Sequence, residues 1–319
     1  IYHTWGTKEF NADKCTQSVL YRKCADERDL LLDFLEYWEN HIPDILTGWY
    51  SDSFDIPYIV NRIRRILGDD AILGLSPWRR VEVNDKKIAG KEIPGFNIVG
   101  VSQLDYIDLF KKFTLNTLGQ QESYKLDHIA NVVLGEKKLD YSEHGSLHLL
   151  YKHDYQKFVE YNIKDVELVD KLEDKLGLID LVLTMAYRAK CSLGETFGTV
   201  GIWDAILYNE FKKRKIAVPP KKLSSYTDSI EGGYVKEPQV GMHEWVVSFD
   251  LNSLYPHLIM QYNMSPETIV NNTIPGTTVD KLLDMPEIDI PDNTCLTATG
   301  QLFRNDINGI IPQIIQEYY

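Results

Sequence analysis

No stretch of this chain approaches the roughly 18 consecutive apolar residues that a membrane-spanning helix requires, so a helical membrane protein is excluded. The opening residues Ile1-Tyr2-His3-Thr4-Trp5 lack the basic start and apolar run of a secretory signal. Cysteine is scarce as well. Cys15, Cys24, Cys191 and Cys295 are scattered without paired spacing, which argues against a zinc site or a disulfide framework and for reduced thiols in a cytoplasm. Basic residues are in deficit, with 34 Lys and Arg against 47 Asp and Glu and a net charge of -13. That balance speaks against binding nucleic acid through bulk positive charge, while leaving room for a local basic groove. Internal repeats and low-complexity tracts are also missing, which removes solenoids and long linkers. What remains is a chain of 319 residues, 44% hydrophobic, able to bury about two ordinary domain cores.

Periodicity places the main elements. Asp26-Glu27-Arg28-Asp29 opens a helix whose positions 30, 31, 34, 35 and 38 fall on one face, with Asp26 as N-cap. A short strand over 45–49, a polar turn over 50–53, and a helix begun by Phe54-Asp55-Ile56-Pro57 and closed by Gly68 follow. Next come a hairpin expected around Asn84-Asp85, a buried run over 96–101, a helix over 104–113, and a short helix marked by Leu126, Ile129 and Val133. A long helix runs from about His153 to Gly177, with Phe158, Val159, Val166, Val169 and Leu172 mostly toward a core. Helix, strand and helix in close succession predict an α/β, or α+β, layered fold.

Two constellations carry chemistry. Val246-Val247-Ser248-Phe249-Asp250 reads as a buried strand ending in a carboxylate, and Leu251-Asn252-Ser253-Leu254-Tyr255 as a turn, with Pro256 the expected first residue of a following helix. Asp250 is there either a metal ligand or a helix cap. On the long helix Tyr161 and Asp165 stand four apart, one above the other, where a phenol can orient a water beside a metal-binding carboxylate. An ordinary solvated helix carries such a pair too, and Asp55 before Ile56-Pro57 is equally natural as an N-cap.

The order of the segments decides between these readings. Thr47-Gly48-Trp49-Tyr50-Ser51-Asp52-Ser53-Phe54-Asp55-Ile56-Pro57, then Tyr161 with Asp165, then Ser248-Phe249-Asp250-Leu251-Asn252-Ser253-Leu254-Tyr255-Pro256 resemble the family B DNA polymerases, in particular the replicative polymerases of T-even-type phages. The first two resemble the family's second and third exonuclease motifs and the last its polymerase motif A. Ile230-Glu231-Gly232-Gly233-Tyr234 resembles the Tyr-x-Gly-Gly element between the two parts, giving Gly232, Gly233 and Tyr234 as DNA contacts.

The resemblance implies an RNase H-like 3′–5′ exonuclease domain over residues 1–178, a crossing segment over 179–221 and the first part of a polymerase palm over 222–319. It implies two Mg²⁺ ions per active site, with Mn²⁺ as an alternative, about 4 Å apart. Asp55 and Asp165 would be exonuclease metal ligands, with Tyr161 placing the attacking water. Asp250 and the backbone of Leu251 would hold the polymerase ions, Ser253 and Leu254 the triphosphate, and Tyr255 the sugar, where its ring would reject a 2′-hydroxyl. Primer-template DNA and dNTP would be the substrates, the host bacterial cytoplasm the location, and a sliding clamp a partner through residues outside this chain. Two departures stand out. Tyr50 occupies a position where the family usually carries Asn, and the family's first Asp-x-Glu motif is absent, since the one such string, Asp165-Val166-Glu167, lies inside the later helix. Nor is there the Asp-Thr-Asp of the second half of the palm. The expectation is therefore a truncated or split N-terminal portion that associates with a C-terminal half and is a poor nuclease alone. A stand-alone exonuclease and a non-catalytic DNA-binding subunit are the alternatives.

Overall fold

Tyr2–Gly6 (β1) lies parallel to Val19–Lys23 (β2) in a computed structural model that describes residues 1–84, 86–88, 91–93, 95–218, 237–277, 281 and 288–319. The chain divides into two units, Ile1–Ser224 and Ser225–Tyr319.

In the first unit Glu27–Asn40 (α1) begins at Asp26, whose carboxylate accepts from the Asp29 N–H at 2.9 Å. Such a cap satisfies a donor that the first turn would otherwise leave open. Leu31 and Leu35 of α1 are buried. Ile45–Gly48 (β3) leads into Asp55–Leu67 (α2), whose Ile56, Val60 and Ile63 are buried. Leu31, Leu35, Val60, Ile63, Leu75 and Ile98 share one core cluster, so α1 and α2 are held by their apolar stripes.

The strands that follow differ from expectation. Val81–Val83 (β4) pairs antiparallel with Phe96–Ile98 (β7), and Lys86–Ile88 (β5) pairs with Lys91–Ile93 (β6) between them. The chain does not turn at Asn84, because the Asn84 N–H continues the ladder to the Gly95 carbonyl at 2.8 Å. The helix expected over 104–113 starts later. Ser102–Asp105 (β8) is a strand parallel to β3, with Gly48 opposite Asp105, and only Tyr106–Phe113 (α3) is helical. Parallel pairing requires a crossover, and here α2 lies within the connection.

Leu115–Leu118 (α4), Leu126–Leu134 (α5) and Leu147–His153 (α6) precede the long Tyr155–Leu176 (α7), which ends at the left-handed Gly177 (φ 60°). Leu178–Ala189 (α8) and Thr199–Lys213 (α9) follow. A second core cluster gathers Leu104, Tyr106, Phe110, Ile129, Leu172 and Val182, with Trp49 packed against it. Along α7 Val159, Ile163, Leu168, Val169 and Leu172 are buried, but Val166 is 54% exposed and faces away from the core expected for it.

In the second unit Leu254–Gln261 (α10) is followed by Ile269–Thr273 (β9), Thr294–Leu296 (β10) and Gln301–Arg304 (β11), antiparallel in the order β10-β11-β9. Ile310–Tyr318 (α11) buries Ile310, Pro312 and Ile314. The strand expected over 246–250 is not formed. Val246, Val247 and Phe249 are 75%, 71% and 89% exposed, and no strand among the described residues pairs with them. An extended apolar run has no local hydrogen bonds to hold it and becomes a strand only against a partner. Among the described residues no helix is long and apolar enough to cross a membrane.

Candidate active site

The site is built where β3 and β8 end side by side. Beyond Gly48 the chain turns through residues 49–54 and enters α2 at Asp55. Trp49 anchors the start of the turn, its indole N–H donating to the Tyr124 carbonyl at 3.1 Å and its ring lying 6.0 Å from Phe110. Asp105, 4% exposed, spans the turn from the neighbouring strand. Its Oδ1 accepts from the Tyr50 N–H at 2.8 Å and from the Ile107 N–H at 3.3 Å, and its Oδ2 from the Asp52 N–H at 3.1 Å. Burial pushes the Asp105 carboxyl up to about 6 against the pull of those three amides, and the nearby Asp108 adds to the rise.

A raised carboxyl has a defined stability signature. The native state holds the Asp105 proton more tightly than the unfolded chain, whose ordinary value is about 3.9, so the stability it contributes is complete below about pH 4 and is lost as pH climbs through about 6. Relative to Asp105→Asn, which does not titrate, the wild-type chain should lose about 2 to 3 kcal/mol across that window. Thermal melts of both proteins at pH 4 to 7 read this directly, and a gap independent of pH contradicts it.

Asp55 is the first residue of α2 rather than its cap, which is Phe54 and provides no side-chain hydrogen bond. The helix-capping reading of Asp55 is thereby removed. Burial raises its carboxyl, its own backbone N–H lowers it, and the charge of Asp165 raises it again. Asp165 rises for the same first reason, burial, with Lys138 pulling it back and Asp127 pushing it up. The structure thus brings Asp55, Tyr161 and Asp165 to one cleft of about 1610 Å³, together with Tyr50, Tyr58 and Lys138.

Lys138 is a side chain of this cleft that periodicity and spacing did not reveal. Its Nζ donates to Asp165 Oδ2 at 2.7 Å and to the Tyr161 hydroxyl at 3.4 Å. Burial works against its charge, yet the contacts with Asp165 and Tyr161 keep its affinity for the proton above the ordinary lysine value. Its backbone N–H is held by Asp127 Oδ1 at 2.8 Å, so α5 positions the lysine that faces α7. Tyr141 stands edge-on to Tyr161 with ring centroids 5.2 Å apart. No local pattern announces these contacts, because Lys138 sits in a polar loop 27 residues from Asp165. On the outer rim Phe54 and Tyr58 stack at 6.1 Å and are 62% and 58% exposed.

The donor set fits a divalent cation in part. Asp165 Oδ1 is buried and accepts no hydrogen bond among the described residues, and Asp165 lies close enough to Asp55 for its charge to oppose ionisation of the Asp55 carboxyl. Mg²⁺ is commonly held by one or two carboxylates plus substrate oxygens, which these two side chains can provide. Among the described residues no group of three or more acidic, His or Cys side chains gathers to form a fuller cage.

In the second unit Asp250 is exposed and Leu251 is 68% exposed, on a turn that enters α10. Ser253, left-handed at φ 56°, is the N-cap, so Asp250 does not cap the helix. Pro256 is the third helical residue rather than the first, a place where its missing N–H still costs no helical bond. Tyr255 is 72% exposed. One carboxylate alone does not make a metal site, and these residues do not by themselves fit a bound ion pair. Gly232, Gly233 and Tyr234 lie outside the described residues.

Residues 7–129 match DNA polymerase family B, exonuclease domain, and residues 202–318 match DNA polymerase family B. The DNA-directed DNA polymerase of Escherichia phage RB69 is 36% identical over 303 residues, covering 94% of this chain and 33% of the relative. The chain belongs to the family B DNA polymerases. The DNA-directed DNA polymerase of Enterobacteria phage T4 is 35% identical over 311 residues, again 94% of this chain and 33% of its own length. The DNA polymerase delta catalytic subunit of Candida albicans is 26% identical over 310 residues, 91% of this chain and 28% of the relative. The chain spans about a third of the length of the phage relatives. Asp55 lies in the exonuclease match and Asp250 to Tyr255 in the polymerase match, while Tyr161 and Asp165 fall between the two. Family B polymerases with an exonuclease domain generally depend on divalent metal ions.

Proposed function

We propose that this chain is the proofreading and early-palm portion of a phage DNA-directed DNA polymerase, with 3′–5′ exonuclease over residues 1–178, a crossing segment over 179–221 and palm from 222 to 319. The observation that supports it most is the meeting of Asp55, Tyr161, Asp165 and Lys138 in one cleft. Primer-template DNA and dNTP are the substrates on this reading, the cytoplasm of a host bacterium its location, and a C-terminal half carrying the rest of the palm and a sliding clamp its partners.

For excision, Asp55 and Asp165 are the side chains that would hold two Mg²⁺, or Mn²⁺. When bound, such ions activate water and stabilise the departing 3′ oxygen. The chain's own residues do the rest. The Tyr161 hydroxyl, fixed by Lys138 and by the edge of Tyr141, orients the attacking water toward phosphorus. The Lys138 ammonium places positive charge beside the phosphoryl oxygens as the bond from phosphorus to the 3′ oxygen of the remaining strand breaks. The exposed Phe54–Tyr58 stack offers π-faces to bases peeled from the duplex, an interaction every base accepts. For synthesis, Asp250 and the Leu251 backbone are assigned to metal, Ser253 and Leu254 to the triphosphate, Tyr255 to selection against ribose, and Gly232, Gly233 and Tyr234 to the DNA backbone.

Reconstitution with a cognate C-terminal half tests this assignment. Primer extension should vanish in Asp250→Ala, and removal of a mispaired 3′ nucleotide should fall at least a hundredfold in Asp165→Asn while extension continues. Extension that survives Asp250→Ala defeats the polymerase reading. A stand-alone nuclease is the second reading, favoured by the confinement of Asp55, Tyr161, Asp165 and Lys138 to the first unit. Degradation of single-stranded DNA by this chain alone, dependent on Asp165, would select it.

A further inference from the structure

We propose that Asp105 is a positioning residue of the nuclease site, its carboxylate holding Tyr50 in a left-handed backbone conformation so that the turn delivers Asp55 to the cleft. The inference rests on the nuclease reading of that cleft.

Tyr50 has φ 70°. That region is open to Gly and tolerable for Asn, whose side chains pay little or can bond locally, but it costs a bulky residue on the order of 1–2 kcal/mol. A tyrosine stays there only if its surroundings over-determine it. Asp105 is the group that does so. It reaches across from β8 to accept the Tyr50 and Asp52 N–H groups at 2.8 and 3.1 Å, closing the turn on both sides of Ser51. Further bonds run from this fixed point into α2: the Tyr50 carbonyl accepts from the Phe54 N–H at 3.1 Å, and the Ser51 carbonyl accepts from the Ile56 N–H at 2.9 Å. Asp55 lies between those two donors, so the clamp sets where its carboxylate points. Ordinary capping of α3 accounts for the bond from Asp105 Oδ1 to the Ile107 N–H and for nothing else. Oδ2 and the Tyr50 bond face another element, and a cap needs neither.

Serine separates the two roles. Asp105→Ser keeps a good N-cap for α3 but is too short to span both turn amides. Titration of the 319-residue chain with Mn²⁺, read by electron paramagnetic resonance, should show a site lost in Asp55→Asn. At that site Asp105→Asn and Asp105→Ser should bind about tenfold more weakly, the lower end of what supporting-shell changes cost a metal site. Adding Tyr50→Asn to Asp105→Ser should recover most of the affinity, because Asn accepts the left-handed region without a clamp. A merely structural Asp105 predicts no such rescue. Unchanged Mn²⁺ affinity in Asp105→Ser, or no recovery with Tyr50→Asn, overturns the proposal. If Asp105→Asn does not fold, the serine variant and its rescue carry the comparison, and rapid hydrogen exchange at the Tyr50 and Asp52 amides of the wild-type chain would also overturn it. A wild-type chain that binds no Mn²⁺ sensitive to Asp55→Asn defeats the nuclease reading itself, and the role of Asp105 falls with it.

Discussion

Phe110→Ala should destabilise the first unit by about 3 to 5 kcal/mol, the cost of deleting a fully buried aromatic ring and leaving a cavity. Phe110 is 0% exposed on α3 and belongs to the cluster that includes Leu104, Tyr106, Ile129 and Leu172. Its ring lies 6.0 Å from Trp49 and 6.4 Å from Tyr124, and Trp49 donates to the Tyr124 carbonyl. The same ring therefore supports both the core and the residue that opens the turn before Asp55. Close-packed interiors do not refill such a gap without moving their walls. Urea unfolding followed by tryptophan fluorescence measures the loss, which should appear as a lower midpoint with little change in slope. A loss below about 1 kcal/mol would mean that the aromatic group around Trp49 repacks, and that the floor of the cleft is softer than its burial implies.

How much of this site could be read in advance depends on the range of the interaction that makes it. The helices α1, α2 and α7 follow from apolar spacing and from end signals in the chain itself, such as Asp26 at one start and Gly177 at one finish. Tyr161 and Asp165 are visible for the same reason, since four residues on a helix are one turn. Strands are harder, because their partners are distant. Ser102–Asp105 is short and runs straight into α3, so its residues resemble the start of the helix until β3 is placed beside them. The run before Asp250 has strand-like residues but no partner among the described residues, and it is exposed. Val166 fits the apolar stripe of α7 by spacing yet faces the cleft, where an apolar side chain can meet a ligand as well as a core. Lys138 and Asp105 are the plainest case. Each acts on a group 27 to 55 residues away, and only the fold brings them there.

Lys138→Met tests whether that long-range lysine governs Asp165. Removing the ammonium leaves a part-buried carboxylate with burial still opposing its charge and without the partner that lowers its proton affinity. Its titration should move further up from the ordinary value of about 3.9. The sign for stability follows. Below about pH 4 the carboxyl is protonated in both proteins and they should differ least. As pH rises toward neutrality the wild-type chain keeps its ion pair while the variant must either hold a proton or bury an unpaired charge, so the gap should widen to about 1 to 3 kcal/mol. Mn²⁺ adds a second discriminating measurement. In the wild-type chain Lys138 occupies Asp165 Oδ2, leaving the buried Oδ1 open, whereas in the variant both oxygens are open to a cation. The thermal midpoint of Lys138→Met should therefore rise more on adding Mn²⁺ than that of the wild type, by the ordinary linkage between binding and stability. A pH-independent gap, or a ¹³C titration of the Asp165 carboxyl that does not move, would show that the pair seen at 2.7 Å contributes nothing to the charge state of the site.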